Sequence, residues 1–546
     1  MSPSPLTRFD LLVALALAAL VIVAGSWQMA PGVCGACHDD AIYVSTAKAL
    51  AQGQGYRMID VPGSPPQTKY PIAYPAVLAA LWRLWPTFPD NLVLMQGITL
   101  LTGAGTVALG YLYLVRFGYF SRTIAAGAGT LCATAPTFLY YSVQTMAEMP
   151  FALLSIAALW GLELALERTS SSRGAQFGVG VLLAMPFLCR TIGATLIVGG
   201  LWVWFWKGRP LRWCLTGVLV ATLPWILWSL SGRGDWDRDP VEGYYTDYVG
   251  QWSIGDVSTL FSVVFCNALF IVYGSAHLVL EGASTLAKPG LGSLPTAIVL
   301  MLPGAAAWLA MTPGLRQGRV LPWALAAYLA AMLVWSWHPG RFLVPILPCL
   351  AAYLLSVPAA VVSRLGLGIG SQRAAAIGLA LIAIANGALL VRHAGVVSRT
   401  GYPLANITDT QADWASFRRV FAWLAQHSQP TDVVACGLDS MVGLYAGRQA
   451  FRPVVYNPGQ LFYGQSAAKS MDRELAEILE CRRPRFLVQL PMPGHPWEQP
   501  LNEAVDALRR THPHWLVVVY QDADPRFVIY QLDRSRSPEA GLAASP

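Results

Sequence analysis

The sequence predicts a polytopic α-helical membrane protein of about 11 transmembrane helices, with an extracytoplasmic α/β domain at its C-terminus. Three observations predict this. Of the 546 residues, 55% are hydrophobic and only 12% are charged, against roughly 25% charged in soluble domains. Mean hydropathy is +0.47, carried by a succession of apolar runs up to Val391. Beyond about Arg392 the chain turns polar and alternates in character. The net charge of +7 does not indicate nucleic-acid binding, because the basic residues sit in short loops between apolar runs, where they set topology.

The first run, Leu11–Met29, has about 19 residues, enough to cross about 30 Å of hydrocarbon. Arg8 before it and the small residues Ala24-Gly25-Ser26 raise the possibility of a cleaved signal peptide. Its apolar core exceeds the 7–15 residues usual for one, so it is read as an uncleaved anchor. The others are Leu92–Val115, Thr123–Tyr140, Pro150–Leu166, Phe177–Leu188, Ile192–Trp206, Trp213–Leu230, Leu294–Met311, Leu321–Trp337, Phe342–Val362 and Ala374–Val391. The two flanking Arg190 are short and read as a tight hairpin.

Eleven spans put Arg8, Arg116, Arg122, Arg168, Arg173, Lys207, Arg209, Arg212, Arg316, Arg319, Arg364 and Arg373 on one side, expected to be the cytoplasm. The outer side then receives the loop 34–91, the acidic loop Ser231–Asp256 and the tail. Leu260–Leu280 is apolar enough to span, but counting it would move Arg316 to Arg373 outside. It is therefore read as an interfacial or partly re-entrant helix.

In the tail, Trp414, Phe417, Phe421 and Leu424 recur at helical spacing. Asp432–Cys436, Phe486–Leu490, Trp515–Tyr520 and Phe527–Leu532 read as strands, and Glu474–Glu480 and Leu501–Arg510 as helices between them. The expected division is a transmembrane unit over 1–392, an α/β domain over 393–535 and a disordered tail over 536–546. No internal repeat is present.

The outer side concentrates the chemistry. The first outer loop is too long for a connector and opens with Cys34-Gly-Ala-Cys37-His38-Asp39-Asp40, followed by Tyr43. It continues through Gly53-x-Gly55-Tyr56-Arg57 to Lys69-Tyr70-Pro71-x-x-Tyr74-Pro75. The second outer loop is minimal and carries Glu148; Arg190 marks the next, and His338-Pro-Gly-Arg341 the last before the tail. Carboxylates at Asp39, Asp40 and Glu148 thus share a membrane face with Arg57, Lys69, Arg190 and Arg341. Such a set suits a lipid-linked phosphate donor: cations offset charge developing on the leaving group, and a carboxylate takes a proton from an acceptor. Each residue also has a plainer reading. Arg190 and Arg341 fit snorkelling, Glu148 and Asp39-Asp40 fit acidic first turns of helices, and Lys69 fits a solvated loop lysine.

The order of these motifs resembles the first outer loop of GT-C fold glycosyltransferases, in the branch containing protein O-mannosyltransferases and bacterial lipid A aminoarabinose transferases. Glu148-Met-Pro150-Phe151 is similar to the family's second-loop acidic site. Arg341-Phe342-x-x-Pro345-x-x-Pro348 is similar to its late helix start. The resemblance covers roughly residues 5–365. It implies sugar transfer from a polyprenyl-phosphate donor at the outer membrane face, usually with inversion. Asp39 then matches the catalytic acidic residue, Glu148 the second acidic residue and Lys69 a lysine near the donor phosphate. Tyr43, Tyr70, Tyr74 and His338 are expected to line the substrate pocket. Two features depart from the family pattern, which has Asp-Glu where Asp39-Asp40 stands and no Cys-x-x-Cys-His before it.

Cys34-x-x-Cys37-His38 is also the attachment motif of c-type haem, which opens an alternative reading as a membrane-anchored electron-transfer protein. Against it, no distal ligand is marked, and a haem on His38 would crowd Asp39. Plainer still are a Cys34–Cys37 disulfide or two free thiols. Cys436 and Cys481 form another candidate pair. A transporter ranks low, because the spans proper are nearly free of charge.

The sequence thus reads as a glycosyltransferase of the bacterial cytoplasmic membrane, acting on a lipid, glycan or protein acceptor. Asp39 is the expected general base, with Asp40 supporting it or binding a divalent metal; no cofactor is required. Lys69, Arg57, Arg190 and Arg341 are expected to grip the phosphate.

Overall fold

Long apolar runs must satisfy their backbone polar groups internally, so they form helices. In the computed structural model, residues 5–168, 172–235, 238–247, 257–285, 293–364, 369–405, 411–453, 458–463, 470–533 and 535 are described. The helices begin with α1 (Arg8–Ser26), α2 (Asp39–Ala51), α3 (Ala73–Leu84), α4 (Leu92–Arg116), α5 (Arg122–Thr134) and α6 (Pro136–Val143). Next come α7 (Glu148–Glu167), α8 (Arg173–Cys189), α9 (Ala194–Trp206), α10 (Arg212–Ser231), α11 (Pro240–Thr246) and α12 (Val257–His277). Among the described residues, 8 helices are long and apolar enough to cross a membrane, and the chain is a multi-pass membrane protein.

The eight long helices are fewer than the eleven expected runs because several of those runs form short or broken helices. Thr123–Tyr140 is broken at Ala135, which is extended because Pro136 follows it and opens α6. Arg173–Cys189, Thr191–Trp206 and Val320–Leu333 are only 10–17 residues long. A 17-residue helix rises about 26 Å, short of a full bilayer core. These short elements end at Gln144, Arg190 and the Val334–His338 stretch. The candidate site lies beside these breaks, its cavity lined by Tyr140, Tyr141, Arg190, Val334 and Trp337.

The basic loops gather at one end of the bundle. Arg116 pairs with Glu167 at 2.7 Å, and Arg209 donates to the Leu166 carbonyl at 3.2 Å. Lys207 donates to Gln317 at 3.4 Å, and Arg319 reaches the Phe117 carbonyl at 2.6 Å. Arg122 grips Asp10, whose carboxylate also closes a capping box with Thr7 at the start of α1.

Helix α12, predicted over Leu260–Leu280, has 21 residues and meets the length and hydropathy of a span. It does not carry the chain to the basic end. Asn267 at its middle donates to the carbonyls of Met332, Leu333 and Trp335 at and just after the end of the short helix Val320–Leu333. Glu281 after it accepts from Thr137 at the start of α6. The next long helix, Ser293–Arg316, runs down to Arg316 and the basic loops.

The helix expected over Ala374–Val391 continues to Thr400. The tail beyond it holds a five-stranded sheet, β1 (Val434–Cys436), β2 (Ala450–Phe451), β3 (Phe486–Gln489), β4 (Leu516–Gln521) and β5 (Val528–Leu532), in the order β2-β1-β3-β5-β4. β2, β1 and β3 run parallel, while β5 is antiparallel to both β3 and β4. Four strands were legible in the sequence; the two-residue β2 was not. The expected helices are present as Trp414–His427, Met471–Arg482 and Glu498–Thr511. The tail shares one hydrophobic core with the first outer loop: Val33, Ala36, Ile42, Met58 and Val61 pack with Phe417, Met441 and Met492. Cys436 is buried, Cys481 exposed, and both are free thiols rather than a pair. The tail expected over 536–546 lies outside the described residues.

Candidate active site

The site is built around the start of α2. His38, just before the helix, has φ 62 and ψ −54, a backbone state rare for any residue but glycine. Asp39 and Asp40 follow as the first two residues of the helix and, as helical neighbours, point in different directions. Asp40 folds back on its own loop and accepts from the backbone N–H groups of Gly35 at 2.7 Å and Cys37 at 3.1 Å. Asp39 points the other way, into a cavity of about 740 Å³.

Within that cavity Asp39 Oδ2 lies 2.7 Å from Arg341 Nη2, and Oδ1 accepts from Tyr70 OH at 2.6 Å. Arg341 Nε is also 3.9 Å from Glu148 Oε1, and Glu148 is paired with Arg190. The order Asp39–Arg341–Glu148–Arg190 alternates charge across four segments distant in sequence. Lys69 is buried and joins from the loop, its Nζ 4.5 Å from the Tyr244 ring centroid and 5.5 Å from that of Tyr70. No ion pair of Lys69 is present among the described residues.

Electrostatics follow this geometry. Burial alone raises the Asp39 carboxyl, but Arg341, His38 and Lys69 outweigh it and hold the group well below the usual carboxylate range. Burial raises Asp40 to about 6 despite its backbone N–H partners. Burial lowers Lys69, partly offset by Tyr244 and Asp39.

The predicted residues divide cleanly. Asp39, Tyr43, Lys69, Tyr70, Arg190, His338 and Arg341 all line the cavity. Glu148 stands behind it, fully buried against Arg190 and Arg341. Tyr74 packs against Tyr43 and hydrogen-bonds Thr99 at 2.7 Å, outside the lining. Arg57 does not belong: it is exposed and donates to the Ser64 carbonyl across its own hairpin. Residues missed from sequence include Tyr140, Tyr141, Tyr244, Trp337, His495 and Trp497. The Tyr244-Tyr245 pair in an otherwise acidic loop was the one available signal.

The haem alternative fails on local contacts. His38 Nε2 is 2.7 Å from Asp439 Oδ1 in the tail, so this ring nitrogen is not free to ligate iron. Cys34 Sγ sits 3.3 Å from Thr145 Oγ1 and Cys37 Sγ 3.1 Å from Tyr140 OH. Both are free thiols, and burial raises both well above the usual range.

A divalent metal on the acidic pair would have to share its carboxylates with protein partners. Asp39 is committed to Arg341 and Tyr70, and Asp40 to backbone N–H groups. Among the described residues no cluster of three or more His, Cys, Asp or Glu is suited to hold a metal ion.

No protein-family model matches the chain, and no curated protein does. Solved structures do match over nearly its whole length. The Archaeoglobus fulgidus oligosaccharyltransferase tethered to an acceptor peptide aligns with a TM-score of 0.56 at 13% identity, covering 97% of this chain and 75% of that one. The same enzyme in complex with Zn and sulfate aligns at 0.54 and 14%, covering 87% and 67%. ArnT from Cupriavidus metallidurans in the apo state aligns at 0.50 and 15%, covering 95% and 97%. All are GT-C fold glycosyltransferases, and at these identities the likeness establishes the fold.

Proposed function

We propose that this GT-C fold protein transfers a sugar from a polyprenyl-phosphate donor to an acceptor on the extracytoplasmic face of the bacterial cytoplasmic membrane. The observation that carries the proposal is Asp39 paired with Arg341 in an aromatic-lined cavity that also exposes Lys69 and Arg190. The cavity lies at the end of the bundle opposite the basic loops. The positive-inside tendency assigns such loops to the cytoplasm, which supports an extracytoplasmic site and sheet-bearing tail.

In the reaction an acceptor hydroxyl or amine gives its proton to Asp39 as its heteroatom bonds to the anomeric carbon. The bond from that carbon to the phosphate oxygen breaks, and polyprenyl phosphate leaves with the electron pair. Lys69 and Arg341 stabilise the charge gathering on that oxygen, Arg341 with the bidentate geometry that suits phosphate. A carboxylate held far below its usual range is a poor base at neutral pH. Donor binding corrects this: a phosphate that draws Arg341 away from Asp39 raises the proton affinity of the carboxylate as the substrate arrives. Glu148 holds Arg190 and Arg341 from behind. The tail, whose His495 and Trp497 line the same cavity, positions the acceptor.

The A. fulgidus enzyme was solved with Zn. In this chain Lys69, Arg190 and Arg341 line the cavity and supply phosphate-facing charge. The test is the Asp39→Asn variant, purified and assayed for sugar release or transfer from a synthetic polyprenyl-phosphoryl sugar. A loss of at least about 10²-fold is expected for a general base; undiminished activity would remove Asp39 from this role.

A further inference from the structure

Asp439 lies 401 residues from His38, at the start of the tail helix Asp439–Ala446. It is fully buried, and its two oxygens have separate partners. Oδ1 meets His38 Nε2 at 2.7 Å, and Oδ2 accepts from Tyr245 OH at 2.7 Å. The other ring nitrogen, His38 Nδ1, is buried without a hydrogen bond. It lies 3.9 Å from Asp39 Oδ1. The strained φ of 62 at His38 holds the ring between the two carboxylates. Such outliers persist only where the surroundings over-determine them.

We propose that Asp439 and His38 are positioning residues for Asp39, so that the tail completes the active site rather than only shaping its entrance. This rests on the glycosyl-transfer reading for the role of Asp39. Asp439 fixes His38 with Nε2–H directed at itself and Nδ1–H directed at Asp39. When the donor phosphate engages Arg341, the imidazolium remains beside Asp39 Oδ1 and keeps the carboxylate oriented towards the acceptor. The arrangement also accounts for His38 in the Cys-x-x-Cys-His stretch, which neither haem nor the phosphate site uses.

The groups facing the imidazole are Asp39, Asp439 and Tyr244, with the cations Lys69 and Arg452 and neutral His495 around Tyr244 and Trp497. Burial works against the charged ring, while Tyr244, Asp439 and Asp39 favour it and raise it to about 10.

The experiment is histidine-selective ¹⁵N NMR of the full chain in detergent, with the His38 signals assigned through His38→Gln. At pH 8 both His38 nitrogens should be protonated. Asp439→Asn should make the ring neutral at that pH, and Asp39→Asn should move Nδ1 while leaving Nε2 in place. A neutral His38 in the wild type, or signals indifferent to Asp439→Asn or Asp39→Asn, would overturn the proposal. In parallel, sugar release from a short-chain polyprenyl-phosphoryl hexose should fall about tenfold or more in kcat for Asp439→Asn. KM should hold within about twofold, the acid limb of the pH profile should rise and Asp439→Glu should recover activity. A fall in kcat with an unmoved limb and no recovery would mark a structural role and sink the relay. If the wild type releases no sugar, the glycosyl-transfer reading fails while the NMR still decides the contact.

Discussion

Arg341 Nη2 stands 2.7 Å from Asp39 Oδ2 while its Nε stands 3.9 Å from Glu148 Oε1, so one guanidinium serves two carboxylates contributed by different outer loops. This shared cation links the proposed base to the proposed phosphate site. Arg341→Gln should therefore lower kcat/KM for a polyprenyl-phosphoryl sugar by about 10²-fold or more, since stabilisation of the charge developing on the leaving phosphate is lost. Arg341→Lys should recover little, because a point charge does not reproduce a bidentate fork. Steady-state kinetics on the purified variants checks both.

The same contact sets a pH dependence. Asp39 is held well below the carboxylate range, against the effect of burial, by Arg341, His38 and Lys69. Its ionised form should persist below the unperturbed value of about 3.9. Its contribution to stability is thus present above about pH 4 and is lost as pH falls through the folded-state value. Removing the Arg341 charge shifts that value up. The acid limb of kcat/KM for Arg341→Gln should consequently lie at higher pH than in the wild type. A limb that stays in place would show that Arg341 does not govern the protonation of Asp39.

His38 has the opposite sign. Its folded value of about 10 lies above the model-peptide value of 6.5. The stabilisation is complete below pH 6.5 and is lost as pH rises towards 10. On the order of a few kcal/mol is at stake for a group this buried. Thermal unfolding from pH 6 to pH 10 should show the wild type losing stability relative to His38→Gln across that window.

Much of this site was legible because charge is rare and costly in an apolar chain. Asp39, Lys69, Arg190 and Arg341 were identifiable as outer-face charges before any geometry, and they converge on one cavity. Adjacent helical residues point apart, but the sequence does not say which of Asp39 and Asp40 faces the cavity; the packing of the helix start decides that. Arg57 misled because a hairpin end carries the same signal as a site edge. The tail's contribution was invisible: Asp439, His495 and Trp497 reach the site through tertiary packing, and nothing local marks them. The two short helices meeting at Arg190 were legible as a hairpin, whereas the break at Pro136 was not, because a hydropathy pattern measures apolar length and does not show where a proline splits a helix.

Thiol reactivity gives a further test of the Cys-x-x-Cys stretch. Cys34 and Cys37 are raised well above the usual thiol range, chiefly by burial, whereas Cys481 is exposed. Only the thiolate reacts readily. Iodoacetamide at pH 8 followed by mass spectrometry should label Cys481 in the folded protein while sparing Cys34 and Cys37, and denaturation should expose all three. The double variant Cys34→Ala/Cys37→Ala should retain sugar transfer within severalfold, since the thiols bond Thr145 and Tyr140 rather than the charged residues of the cavity that Cys37 borders.

Glu148 offers the clearest separation of stability from catalysis. It is 0% exposed and paired with Arg190, which is 9% exposed. Its Oε2 has no hydrogen-bond partner, so the pair is held by charge more than by a saturated network. Removing one partner of a buried pair leaves an uncompensated charge, at a cost of about 3–5 kcal/mol. Glu148→Gln should therefore lower thermal stability strongly, as should Arg190→Gln. The double variant Glu148→Gln/Arg190→Gln should recover part of that loss, because two neutral amides leave no buried charge unpaired. Catalysis should not recover with it: the double variant lacks a cation that lines the cavity and the carboxylate that braces Arg341 from behind. Unfolding and turnover measured on the four proteins form a double-mutant cycle for each property. Coupling in stability without rescue of turnover is the expected result. Parallel rescue of both would instead assign the pair a purely structural role.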